Sequence, residues 1–330
     1  MRILKIVAGI IILFFLIYYL GPVMPDPVLN SKLPAVSEPV QGFVAHLESA
    51  EKVRQGNEAK IIWANESVKA RTEYVLLYLH GFSASRQEGY PVNEEFPRRY
   101  KCNAYLARLA SHGLVTDNPL IDMSPDRLYE SAKMALVIAS HLGGKVIIMG
   151  TSTGGTLGLK LAADFPEMVS GLILYSPNVR IKQKASLLLS KPWGLQIARL
   201  NFGGDFRVTS DDPSGEICKY WYCKYRAEGT VFLQQLIDAT MDEKVFSKVS
   251  CPLFLGYYYK DDEHQDQVIE VKAALNMFLK VSTPMPLKSA KPFPEAGSHV
   301  IASNLTSKSF MDVEKATYDF AESILKMVPK

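Results

Sequence analysis

The 330-residue chain is poor in cysteine: Cys102, Cys218, Cys223 and Cys251 include no Cys-x-x-Cys pair, and no histidine stands at zinc-site spacing from them. Neither a metal site nor a disulfide framework is indicated. Cys218 and Cys223 are close enough to bridge, but the plainer expectation is scattered small apolar residues. The chain also lacks any long block of Lys and Arg, and its formal net charge is only +3, which gives no ground for a nucleic-acid or polyanionic partner. No internal repeat or low-complexity tract is present, which excludes solenoid and fibrous architectures. With 48% apolar and 22% charged residues the composition is that of an ordinary globular protein.

Charge is missing from one further place. After "MRILK" no charged residue occurs from Ile6 to Met24, close to the roughly 20 residues needed to cross a bilayer. Tyr18 and Tyr19 sit where an interfacial aromatic belt would lie, and no Ala-x-Ala-like cleavage site follows. Residues 1–24 are therefore expected to be a membrane anchor. Arg2 and Lys5 before it keep the amino terminus inside and place the bulk of the chain outside the cytoplasm, periplasmic or extracellular. A signal peptide, giving a secreted protein, is the alternative. Prolines at 22, 25, 27, 34 and 39 then predict an extended stalk over 25–39, with the folded domain spanning 40–330.

Within that domain the runs "AKIIWAN", "YVLLYLHGF", "KVIIMGTS", "GLILYSP" and "PLFLGYYY" are short, almost wholly apolar and closed by turn residues, as strands buried on both faces are. Helical patterns from Asp126 to Leu142 and from Thr153 to Asp164 alternate with them, so the fold class is α/β, with a mostly parallel sheet flanked by helices. About 180–250 holds helical patterns and no strand run, and is read as a helical cap inserted between two strands.

The stretch "KVIIMGTSTGGTLGL" carries the chemistry. Gly150-Thr151-Ser152-Thr153-Gly154 has the Gly-x-Ser-x-Gly spacing, after a predicted strand and before a predicted helix. A sharp turn there lifts the serine clear of the sheet, and the helix amino end faces it with free N–H groups. A phosphate cradle would need a Gly-Lys-Ser/Thr ending, and a dinucleotide fingerprint Gly-x-Gly-x-x-Gly; both are absent. Ser152 is the candidate nucleophile, and it requires a base and donors for an oxyanion. Phe82, in the turn that closes "YVLLYLHGF", and Thr153 are the candidate donors through their backbone N–H groups. His299 in "EAGSHVI" is the candidate base, the one histidine of six that follows both the serine and an acidic loop.

Taken together, "LLYLHGF", "MGTSTGG", "GLILYSP", the acidic loop after "PLFLGYYY" and "EAGSHVI" resemble the α/β-hydrolase superfamily over roughly residues 60–325. The pattern is most similar to the monoacylglycerol lipase, lysophospholipase and serine aminopeptidase group. The resemblance implies a Ser-His-Asp triad, an acyl-enzyme, a cap over the site, and no metal or organic cofactor. It favours Asp266 as the acid, since Asp266-Gln267-Val268-Ile269 has the family's pair of β-branched residues; Asp262 is the alternative. The implied activity is that of a serine esterase or lipase acting on a small-molecule carboxylic ester of lipid-like or acyl-glycerol type. The aromatics of the cap, Trp193, Phe202, Tyr220, Trp221, Tyr222, Tyr225 and Phe232, either line an acyl pocket or pack the cap onto the sheet. A peptidase or acyltransferase on the same triad, and a membrane-tethered binding protein without catalysis, are the other readings.

Overall fold

Nine strands form in the computed structural model, which describes residues 2–330. They are β1 (Lys60–Ile62), β2 (Thr72–Leu79), β3 (Asn103–Leu106), β4 (Gly143–Thr151), β5 (Val169–Tyr175), β6 (Phe206–Val208), β7 (Lys224–Arg226), β8 (Leu253–Tyr257) and β9 (Lys288–Pro292). Seven make one sheet in the order β1-β3-β2-β4-β5-β8-β9, parallel throughout except for β1. Strand alternation divides the core in two. Leu77, Leu79, Ile148 and Leu174 point to one face, and Leu76, Tyr78, Met149 and Tyr175 to the other.

The helices are α1 (Arg2–Tyr19), α2 (Val40–Ser49), α3 (Val92–Tyr100), α4 (Pro125–Leu142), α5 (Thr153–Asp164), α6 (Gly194–Phe202), α7 (Glu216–Tyr220), α8 (Ala227–Thr240), α9 (Glu243–Phe246), α10 (Val271–Lys280) and α11 (Phe310–Ser323). Helices α4, α5 and α10 cover the first face, while α3 and α11 cover the second. Because each side chain from Val75 to Leu79 is fully buried, trimming any of these leucines to Ala is expected to cost about 2–5 kcal/mol.

Two strands of the sheet were not legible as apolar runs. β3 is four residues long and begins on Asn103, whose amide donates to the carbonyls of Ala70 and Leu142. β9 reads Lys-Ser-Ala-Lys-Pro and takes its register from β8 at the sheet edge. In the cap, where no strand was expected, β6 and β7 pair antiparallel over three residues each, too short for any periodicity to show.

The amino-terminal segment gives no support to the expected membrane-spanning anchor. Among the described residues no helix is long and apolar enough to cross a membrane. α1 has 18 residues, about 27 Å of rise against a hydrocarbon core of about 30 Å, and Lys5 lies inside it. Helix formation stops at Tyr19, so the uncharged run to Met24 is not one span. Its last residues are bound elsewhere: Pro22 O accepts from Trp193 N (2.8 Å), and Met24 O and Pro25 O accept from the Gln235 amide.

The proline-rich segment is extended, as its composition requires, but it does not stand free as a stalk. Leu29, Leu33 and Val36 pack on the core, and Val28 N donates to Asp126. The ammonium of Lys133, fully buried, donates to Asn30 O and Lys32 O and pairs with Glu130. Deleting residues 1–21 is therefore expected to leave the melting temperature unchanged. Deleting 1–39 leaves the Lys133 charge without its carbonyls and should lower that temperature by about 10 °C in a calorimetric scan.

Candidate active site

Ser152 stands at the junction of β4 and α5 with φ 53° and ψ −117°, a left-handed backbone that costs an L-residue on the order of 1–3 kcal/mol. Close packing enforces the turn. A Cβ at Gly154 would meet Leu79 O at 1.9 Å, and one at Gly150 would meet Gly154 O at 2.6 Å, so only glycines let the helix start press on the end of β2. Tyr175 O accepts from Ser152 N (2.9 Å), while Ser152 O accepts from Asn178 N (3.0 Å) and Thr156 N (3.1 Å). The serine backbone is thus bonded to the end of β5 and to the loop after it.

The turn His80-Gly81-Phe82 is fixed from several sides. Gly81 N–H donates to Glu88 Oε2 (2.5 Å), Ser83 N–H to His112 Nε2 (3.0 Å), and Tyr222 N–H, from the cap, to Ser83 O (2.8 Å). His80 Nε2 accepts from Leu109 N–H (3.1 Å). Burial drives His80 well below the usual histidine range and His112 down to about 4, so both rings stay neutral and can accept an N–H. Thr153 opens α5, so its N–H has no acceptor within the helix. Among the described residues the Phe82 N–H donates to none outside regular structure. Two free donors therefore flank the serine turn.

His299 follows Gly297, which has φ 68°, in the loop between β9 and α11. Its Nδ1 lies 2.6 Å from Asp266 Oδ2. Asp266 is fully buried, and its other oxygen accepts from the N–H groups of Val268 (2.8 Å) and Ile269 (3.1 Å). Burial alone would raise the Asp266 carboxyl; the neighbouring His299 and the two N–H groups outweigh it and hold the group below its usual value. Burial would likewise lower His299, but Asp266, with a smaller push from Glu88, holds it above the usual value. His299 Nε2 is buried without a hydrogen-bond partner among the described residues, leaving its lone pair free for a proton. No hydrogen bond joins it to the Ser152 hydroxyl here, and such contacts often tighten only with substrate bound.

Asp262 lies apart from this cluster. It is exposed, and its Oδ1 accepts from the Tyr259 hydroxyl (3.0 Å). Of the two β-branched residues after Asp266, Ile269 is buried and Val268 is exposed; the Asp266 carboxylate itself holds the turn. Of the cap aromatics, Tyr222 and Tyr225 are buried as packing groups, with the Tyr225 ring edge-on to Phe82 at 5.1 Å. Trp193 is taken up by the amino-terminal segment, its Nε1 donating to Ile17 O (3.0 Å).

Three contributors had no motif in the sequence. Glu88 and His112 act through backbone N–H groups at distances no spacing rule predicts, and the cap reaches the turn through the main chain of Tyr222. The disulfide Cys218–Cys223 also corrects the expectation of free thiols there. It closes the segment just before β7, and the Arg54 guanidinium bonds the carbonyls of Cys218, Lys219 and Trp221.

Comparison with known proteins bears on the fold. The family model described as serine aminopeptidase, S33, matches residues 127–215. No curated protein matches the sequence. A structure reported for the metagenome-derived lipolytic enzymes LipS and LipT superposes with a TM-score of 0.64 at 18% identity, covering 82% of this chain and 98% of that one. The monoacylglycerol lipase of Paleococcus ferrophilus gives 0.56 at 13% identity, over 79% and 96% of the two chains. A soluble variant of the Saccharomyces cerevisiae monoglyceride lipase gives 0.57 at 14%, over 80% and 90%. The parallel sheet, the serine turn after its fourth strand and these superpositions together establish that the chain has the α/β-hydrolase fold.

Proposed function

We propose that the protein is a serine hydrolase that cleaves carboxylic esters of lipid-like type through an acyl-enzyme. The observation that carries the reading is the buried Asp266–His299 pair with an unpartnered Nε2, together with a serine held in a strained strand-to-helix turn. His299 Nε2 takes the Ser152 proton as Oγ attacks the ester carbonyl, and the N–H groups of Phe82 and Thr153 receive the oxyanion. Asp266 keeps the proton on Nδ1 and stabilises the imidazolium. His299 then protonates the leaving alcohol. Water, activated by the same ring, releases the acid from Ser152. Nothing in this sequence of steps draws on a cofactor.

The lipid-like substrate class is supported by the likeness in fold to lipolytic enzymes and monoacylglycerol lipases. A peptidase reading has one observation in its favour, the serine aminopeptidase family match over 127–215. A panel of p-nitrophenyl acyl esters, monoacylglycerols and aminoacyl amides separates them. Esters are expected to be turned over at least about 100-fold faster than amides, a difference of roughly 2.7 kcal/mol in the barrier. Faster amide cleavage would transfer the assignment to a peptidase.

For location, we propose a domain held outside the cytoplasm at a membrane surface, or released from it after signal cleavage. The disulfide favours an oxidising compartment. Beyond Lys5, α1 is apolar around its circumference with its large side chains exposed, Phe14 and Tyr19 each by 71%. A short helix whose charges, Arg2 and Lys5, lie only in its first turn suits the apolar part of a signal peptide or a segment held at a membrane surface.

A further inference from the structure

Glu88 is buried on the short turn Arg86–Gly89 and takes no part in the steps above. Its Oε2 accepts from Gly81 N–H (2.5 Å) and from the Tyr78 hydroxyl (3.4 Å), and among the described residues no cation pairs with it. Arg86, on the same turn, points its bonds to Glu58 O and Glu94 instead. A Cβ placed on Gly81 would stand 2.8 Å from Glu88 Oε1 and 3.0 Å from Ser152 Cβ, so carboxyl and nucleophile flank one point. The chain after the turn is stitched to the segment that follows His299: Asn304 N–H donates to Tyr90 O (2.9 Å), and Pro91 bridges Ser303. One buried carboxyl thus touches the oxyanion turn, adjoins the nucleophile and sits on a turn tied to the histidine loop.

We propose that Glu88 is a positioning residue of the site: its carboxyl holds the Gly81 N–H, and with it the aim of the Phe82 N–H, and its charge is felt by His299. Burial pushes the group up to about 8, against the opposing pull of the Gly81 N–H, His299 and the Tyr78 hydroxyl. The ionisable groups around it are few. Tyr78 faces it from β2 with Tyr175 of β5 behind, and His299 faces it from the loop after β9. Glu94 of α3 is turned to Lys60, Arg86 and Arg98.

The sign follows from this arrangement. Below about pH 8 the carboxyl is neutral; above it, a negative charge stands beside the turn where a second negative charge must develop. Repulsion between the two raises the barrier, so turnover falls as Glu88 ionises. The same charge favours protonated His299.

The test uses the full chain with Glu88→Gln, whose amide oxygen still accepts from Gly81 N–H but does not ionise. For the parent, kcat/KM on a p-nitrophenyl ester should fall several-fold on an alkaline limb centred near 8. Glu88→Gln should lose about threefold at neutral pH and lack that limb, whereas Glu88→Ala, without the acceptor, should lose at least about tenfold in kcat at every pH. Glu88→Asp, which keeps a carboxyl, should retain an alkaline step. In parallel, NMR titration of the His299 ring should show a step near 8 in the parent that Glu88→Gln abolishes. The kinetic arm rests on the ester-hydrolase reading and the NMR arm does not, so a chain inert to esters whose His299 step vanishes in Glu88→Gln sinks the former and keeps the latter. An unchanged alkaline limb and His299 step in Glu88→Gln, or no step near 8 in the parent by either measure, overturns the proposal.

Discussion

Ser152→Ala is expected to lower ester turnover on the order of 10⁶-fold, the cost of removing the nucleophile from a serine triad. The loss should fall on kcat, because the substitution removes the attacking oxygen and leaves the His299–Asp266 pair in place. Stability should change little: the φ of 53° is as strained for Ala as for Ser, and the Ser152 side chain makes no capping hydrogen bond that its removal would break. A steady-state assay alongside a thermal melt checks both halves. Residual activity above about one part in 10³ with an intact melt would place the nucleophile elsewhere.

Asp266→Asn should reduce turnover by about 10⁴-fold with the fold intact. The argument is one of proton placement. Asn Oδ1 can still accept from the Val268 and Ile269 N–H groups, which leaves Nδ2 facing His299 Nδ1. That amide donates, so the ring must accept at Nδ1 and carry its proton on Nε2, where it no longer takes a proton from serine. The pH profile should move as well. Asp266 holds His299 above its usual value in the parent, so the ring becomes an active base only as pH rises through that raised value. Without the carboxylate the acidic limb moves to lower pH. Asp262→Asn, by contrast, removes an exposed acceptor of the Tyr259 hydroxyl and should stay within about tenfold of the parent, near 1.4 kcal/mol. The reverse ranking of the two variants would make Asp262 the acid.

What could be seen in advance divides along physical lines. Strands buried on both faces are continuous apolar runs, so β2, β4, β5 and β8 were legible, and with them the parallel sheet. The serine turn was legible because its glycines answer to backbone contact: Gly154 lies against Leu79 O, a constraint that one residue type satisfies. β3 and β9 were hidden, since an interior strand of four residues and a polar edge strand leave no pattern. The proline-rich segment shows a different limit. Composition specified its extended backbone, but its docking depends on Lys133, about a hundred residues away in sequence, and no local pattern reports a partner that remote. The same holds for Glu88 and His112, whose role is to accept main-chain N–H groups of the oxyanion turn.

The most direct test of the central claim is covalent. Treating the intact chain with a fluorophosphonate and mapping the adduct by mass spectrometry should give a single modification, on Ser152 in the peptide "VIIMGTSTGG". It should be abolished by Ser152→Ala and greatly slowed by Asp266→Asn. An adduct on any other residue, or none on a folded chain, would contradict the assignment of Ser152 as a nucleophile activated by His299.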